Sequence, residues 1–270
     1  MKNKLSRFAV PYEVWMAIFV VAPILIMVIY AFSSSEGGFT LDNFVQMGGY
    51  TQVFLRSFKL AIIATLICLV IGYPVSYLMS REGPAFQRTA MVLIMLPMWM
   101  NFLLRTLAWQ TLLEKTGVIN SILSTLHLPA LNIINTPSAI VLGMVYNFLP
   151  FMVLPLYNVL VKIDKSVINA AYDLGANGVQ TFVRIIFPLS LPGMFSGITM
   201  VFVPSLTTFV ISKILGGSKI LLIGNVIEQE FTQTGNWNLG SGLSIVLMLF
   251  IIFNMVISVI TDKEGEANTL

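Results

Sequence analysis

Six stretches of the chain are almost free of charge and each is long enough to cross a bilayer, which takes about 20 apolar residues in helix. They fall at about 14–32, 60–79, 89–113, 137–161, 189–212 and 239–261, and only the third carries a formal charge, Arg105. Among the segments between them, Asn169–Pro188 stands out as a soluble-looking island. This pattern predicts an all-α polytopic membrane protein of six transmembrane helices, with residues 1–270 as a single membrane domain. The first run follows Lys2, Lys4 and Arg7 and precedes small residues, as a signal peptide would. At 19 residues (Val14 to Phe32), with five more runs behind it, it reads instead as a retained first helix.

Composition agrees. The chain is 57% hydrophobic and 10% charged, far from the balance of a soluble domain. The net charge of +3 is used up in topology-setting residues, so no nucleic-acid partner is implied. With an even number of spans, both termini share a side. Lys2, Lys4, Arg7, Arg81, Arg88, Lys162, Lys165, Arg184 and Lys263 lie on that side, against Arg56, Lys59, Lys115, Lys213 and Lys219 on the other. The positive-inside rule puts both termini and the 162–188 loop in the cytoplasm.

Several chemistries find no support in the sequence. Cys68 is the single cysteine and falls within the second run, and His127 has no partner at ligand spacing. No metal, cofactor or catalytic residue is expected, and no phosphate-binding loop is present; Gly216-Gly217-Ser218-Lys219 lacks the spacing. The chain is expected not to be an enzyme.

The island at Asn169–Pro188 reads as a short helix, a glycine break and a second helix. Ser166 is the expected N-cap, with Asn169 where a capping box would place Glu or Gln. Ala170 and Ala171 keep one side shallow, Gly175 suits the left-handed position that ends a helix, and a second stretch runs from about Gly178 to Phe187 before Pro188. Val167, Ile168, Leu174 and Phe182 add an apolar surface suited to a groove on another protein. An amphipathic helix lying on lipid is the bland alternative, but its basic content is thin.

This segment resembles the cytoplasmic motif of binding-protein-dependent ABC importer permeases, EAA followed by G and, further on, I-x-L-P. Ala170, Ala171, Gly175, Ile185 and Pro188 stand at the matching positions, Phe187 replaces Leu, and Asn169 replaces the leading Glu. The resemblance implies the type I (MetI-like) permease fold and a coupling helix docked into a cleft of a cytoplasmic ATPase. It also implies two such ATPase subunits, a second permease with an intact motif, an extracytoplasmic binding protein and a bacterial inner-membrane location. The segments Pro97–Asn120 and Leu215–Phe231 are similar to permeases of the spermidine/putrescine importer group. That similarity implies polyamine cargo; a permease for another small solute and a self-sufficient secondary transporter are the alternatives.

A cationic cargo calls for carboxylates, amide oxygens and aromatic faces. Trp99, Asn101, Trp109, Glu114, Tyr146, Asn147, Glu228 and Glu230 are the path candidates by that chemistry. Each also has a plain structural role open to it, as interface aromatic, packing residue or solvated charge. Arg105 costs at least about 2.5 kcal/mol to insert and should face a partner, expected to be Glu114 or Glu228, as a structural or gating charge.

Overall fold

A computed structural model describes residues 11–34, 37–217 and 219–267, with side chains to Val256 in the last helix. The basic start at Lys2, Lys4 and Arg7 lies outside the described residues, as does the side chain of Lys263. Among the described residues the regular structure is helical, apart from a lone antiparallel bridge between Ser33 and Phe39.

In chain order the helices are α1 (Pro11–Ala31), α2 (Asp42–Gln46), α3 (Thr51–Arg81), α4 (Pro84–Met95), α5 (Phe102–Leu113) and α6 (Val118–Thr125). There follow α7 (Pro137–Leu160), α8 (Lys165–Asp173), α9 (Gly178–Thr207), α10 (Val210–Leu215), α11 (Ile223–Gln229) and α12 (Trp237–Ala267). Five helical stretches are long and apolar enough to cross a membrane: α1, Asp42–Arg81, α7, α9 and Trp237–Val256 of α12. The third predicted run, 89–113, is not one continuous helix. Pro84–Trp99 and Phe102–Thr125 meet at 90°, a bent pair that makes a sixth crossing if its two arms form one span. Pro97, in a 3-10 turn, removes a backbone donor at the break, and Asn101 starts α5 anew. The fifth run also shifts. Its helix begins at Gly178 in the polar island and stops at Thr207, where Pro204 has weakened the ladder.

The residues divide into two compact units, one of residues 1–52 and 226–251, the other of residues 53–225 and 252–270. In the first, Asn43 ties α2 to the end of α1 by donating its amide to the carbonyls of Ala31 (2.8 Å) and Ser33 (3.0 Å). Asn238 of α12 donates to the carbonyls of Tyr30 and Ser33. From Val14 onward the rest of α1 is apolar on every side and mostly exposed, the surface of a helix meant for lipid or another chain.

The second unit holds the principal core. Leu60, Ala64 and Cys68 of α3 pack with Met144, Phe148, Met152 and Leu156 of α7, and Val201 of α9 joins them. Small residues let the backbones approach, as helix packing in lipid requires. A Cβ on Gly72 would lie 2.9 Å from Met152 Cγ, and one on Gly193 would lie 2.8 Å from the Pro155 carbonyl oxygen. That carbonyl is backbone, and Val159 Cγ2 and Cβ stand beside it at 2.9 and 3.0 Å, so the contact has little room to relax. Ser76 donates to the Val153 carbonyl (3.1 Å) and Cys68 to that of Val145 (3.8 Å), which fixes α3 and α7 side by side and parallel.

Candidate functional site

The polar island forms a compact helical hairpin. Asp164, not Ser166, caps α8: its Oδ1 accepts from the Ser166 amide at 2.8 Å. That bond holds the Asp164 carboxyl below the usual carboxylate range. Asp164 wins because its extended backbone lets a charged acceptor face the free amides of the first turn, which also favour negative charge. Asn169 accordingly sits mid-helix and exposed, not at a capping-box position.

The expected glycine break holds. Gly175 takes φ +83°, the Ala176 amide donates to the Ala171 carbonyl (3.0 Å), and the Gly175 amide donates to that of Tyr172 (2.9 Å). These two bonds are the Schellman pair that closes a helix. A reciprocal capping box then starts α9, with Asn177 Oδ1 accepting from the Gln180 amide and Gln180 Oε1 from the Asn177 amide, both at 2.9 Å. The N-x-x-Q spacing carries that signal in the sequence. Pro188 does not divide the second helix from the span. A π-turn at Phe182–Ile186 just before it widens the ladder, so the helix passes through a residue that has no amide to give.

The hairpin has an anchored side and an open one. Ile168, Ala171, Thr181 and Ile186 are buried where α8 folds onto the start of α9. Phe182 packs edge-on against Tyr73 (5.8 Å) and Tyr77 (5.5 Å) of α3, which roots the hairpin in the bundle. The open side carries Val167, Asn169, Ala170, Gly175 and Val179, with Leu174 89% exposed. Of the motif residues, Asn169, Ala170, Gly175 and Pro188 are exposed, Ala171 is buried and Ile185 is half-buried. The hairpin is thus a platform packed on one side with an exposed apolar tip on the other. Its parts can present a surface but offer no chemistry of their own.

The path candidates separate into groups. In the larger unit, Arg105, Trp109 and Tyr146 come together: Trp109 meets Tyr146 edge-on at 5.1 Å, and the Arg105 guanidinium lies 5.9 Å from the rings of both Tyr146 and Phe102. Arg105 is 7% exposed and donates from Nη1 to the Pro97 carbonyl, with its Nε unpartnered. The expected carboxylate partner is therefore replaced by a backbone carbonyl freed at the helix break. Asn101 Oδ1 accepts from the amides of Leu103 (2.9 Å) and Leu104 (3.3 Å), which makes it the cap of α5. Trp99 is 75% exposed. Glu114 is exposed at the end of α5 and its backbone carbonyl, not its carboxylate, receives Asn120. Asn147 is buried, donates to the Gly143 carbonyl (2.7 Å) and leaves Oδ1 without a partner.

The smaller unit holds the two carboxylates. Glu228 accepts from Thr232 on its backbone and side chain. Glu230 is 7% exposed and receives two neutral hydroxyls, Tyr50 at 3.2 Å on Oε1 and Thr234 at 2.7 Å on Oε2. Tyr50 was not legible as its partner, since the two are 180 positions apart. Phe231 and Trp237 meet edge-on at 5.5 Å beside it in sequence, and Tyr30 lies 6.1 Å from Trp237.

Membrane-long apolar helices with a polar helical hairpin between two of them define a polytopic membrane protein. Comparison with known proteins gives the family. The chain belongs to the binding-protein-dependent transport system inner membrane component family, whose model matches residues 72–263. It is thus a permease subunit of an ABC importer, a multi-pass inner-membrane protein. It is 38% identical over 252 residues to the spermidine/putrescine transport system permease protein PotB of Haemophilus influenzae, covering 88% of each chain. The PotB of Escherichia coli is also 38% identical, over 87% of this chain and 89% of its own. Among solved structures, a bacterial alginate ABC transporter bound to an alginate-loaded periplasmic protein aligns with TM-score 0.75 and 18% identity, over 96% of this chain and 95% of that one. The inward-facing MetNI methionine ABC transporter aligns at 0.59 and 16%, over 82% and 97%. These two establish the fold alone.

Proposed function

We propose that residues 1–270 act as one permease of an ATP-driven polyamine importer, taking spermidine or putrescine inward. The carrying observation is the 38% identity to PotB proteins across nearly the whole of both chains. The chemistry of Glu230 supports it: a buried carboxylate whose described partners are neutral hydroxyls, with aromatic rings nearby in the chain, suits an alkylammonium group.

In this reading the chain forms half of the translocation path beside a second, PotC-type permease and hydrolyses nothing itself. Two cytoplasmic ATPases grip the open side of the α8 hairpin through Ala170, Leu174 and Gly175, and an extracytoplasmic binding protein delivers the cargo. ATP-driven closure of the ATPases pulls on α8, and the π-turn and aromatic root at Phe182 carry that pull into α9. Both termini and the hairpin face the cytoplasm.

The deciding measurement is ATP-dependent uptake of labelled spermidine and putrescine by the complete complex in proteoliposomes. Uptake that saturates and stops without ATP supports the proposal. A complex that assembles and hydrolyses ATP but moves neither polyamine refutes the cargo assignment.

A further inference from the structure

Between α3, α5 and α7 lies an elongated cavity of about 950 Å³ whose chemistry does not suit a cationic cargo. Its walls are mainly aliphatic, from Ile63 and Ile67 of α3 and Val141, Val145 and Leu149 of α7, with the rings of Trp109 and Tyr146 also in the lining. The charged side chains that line it are both cations, Arg56 and Lys59, exposed on the first turns of α3. A polyamine meeting them would be repelled.

The dimensions point elsewhere. On α3 the lining runs from Leu55 to Ile67, twelve helical steps, or about 18 Å of helix. One leaflet of the hydrocarbon core is about 15 Å deep. The cations are confined to one end of that length, the end where α3 and α7 both begin, and aliphatic side chains with the rings of Trp109 and Tyr146 line the rest. We infer that this groove holds an anionic phospholipid, its phosphate headgroup on Arg56 and Lys59 and an acyl chain along α3 and α7. On the orientation proposed above, the headgroup end lies in the outer leaflet. The lipid would pack against the free side of Trp109 and so support the Trp109–Tyr146–Arg105 cluster that stands by the bent pair. In this assignment Trp109 is a lipid-facing residue, not a cargo contact.

The test uses the complete complex in vesicles carrying phosphatidylglycerol with a photoactivatable diazirine in the acyl chain, against the phosphatidylcholine analogue. Adducts are mapped by mass spectrometry. The expected result is labelling of α3 and α7 peptides that line the groove, about tenfold stronger for phosphatidylglycerol. It should fall about tenfold in the double variant R56Q/K59Q and be unchanged in K115Q, a cation outside the groove. Equal labelling by the two lipids, or labelling indifferent to R56Q/K59Q, overturns the assignment. So does a benzoylphenylalanine at Ile67 that crosslinks to the second permease instead of lipid. If the double variant fails to assemble, competition on the unaltered complex decides: excess unlabelled phosphatidylglycerol must displace the probe, and failure to do so overturns the site. ATP-driven uptake followed in the same vesicles keeps this outcome separate from that of the cargo proposal.

Discussion

Glu230 and Gly175 show how a single position acquires a role from its surroundings. Glu230 is buried among hydroxyls, so replacing it with glutamine keeps its size and removes the charge an ammonium would seek. E230Q is expected to lower polyamine uptake about tenfold, the loss typical of a charge-assisted hydrogen bond, with assembly intact by size-exclusion chromatography. Gly175 has φ +83° and open space where a Cβ would stand, so G175A clashes with nothing and costs only backbone strain, about 1 kcal/mol. Hydrogen exchange should show faster opening of residues 165–176, and co-purification of the ATPase should weaken with it. Asp164 adds a pH dependence. Its folded-state pKa is lowered by the bonds to Ser166, so its contribution is present above the ordinary value of about 4. As pH falls through the lower folded-state value the cap is lost, seen as faster exchange at the start of α8, and D164N should show that faster exchange already at pH 7.

Among the elements, α7 and α9 approach closely at Gly193. Gly193 faces the Pro155 carbonyl oxygen, which cannot swing aside as a methionine side chain can. G193A is therefore expected to separate the two helices at a cost of about 1–3 kcal/mol, read as a lower melting temperature of the purified complex. The bend in the third run depends on Arg105 reaching back to the Pro97 carbonyl. R105A should loosen residues 96–104 in hydrogen exchange and reduce uptake several-fold, and R105E with unchanged assembly and uptake would discard both the structural and the gating role. Apolar length alone marks a single run here. The break was legible in outline from Pro97 and Asn101, yet 90° of bend depends on where the freed backbone groups find partners, which no local pattern states.

For the whole molecule, the distribution of positive charge predicts which surfaces face the cytoplasm. Cys68 is buried and should stay silent to membrane-impermeant thiol reagents, so single introduced cysteines report cleanly. K165C is expected to react only when the reagent reaches the inner face, and K115C only from the outer; the reverse pattern would invert the topology. Vesicles holding this chain without its ATPases should take up no polyamine.

The apolar runs by themselves determined the all-α membrane class and most of the crossings, because twenty uncharged residues in helix have few stable fates outside lipid. The polar island around Ala170, Ala171 and Gly175 likewise determined a helical hairpin, since its caps and turn are local hydrogen bonds between near neighbours. Only the tertiary structure decided the rest. It gave Arg105 a backbone carbonyl in place of a carboxylate, joined Tyr50 to Glu230, and built an aliphatic groove with a cationic mouth from α3, α5 and α7. Those arrangements arise from packing between residues far apart in the chain, where helix rotation and depth select the partner and periodicity leaves the choice open.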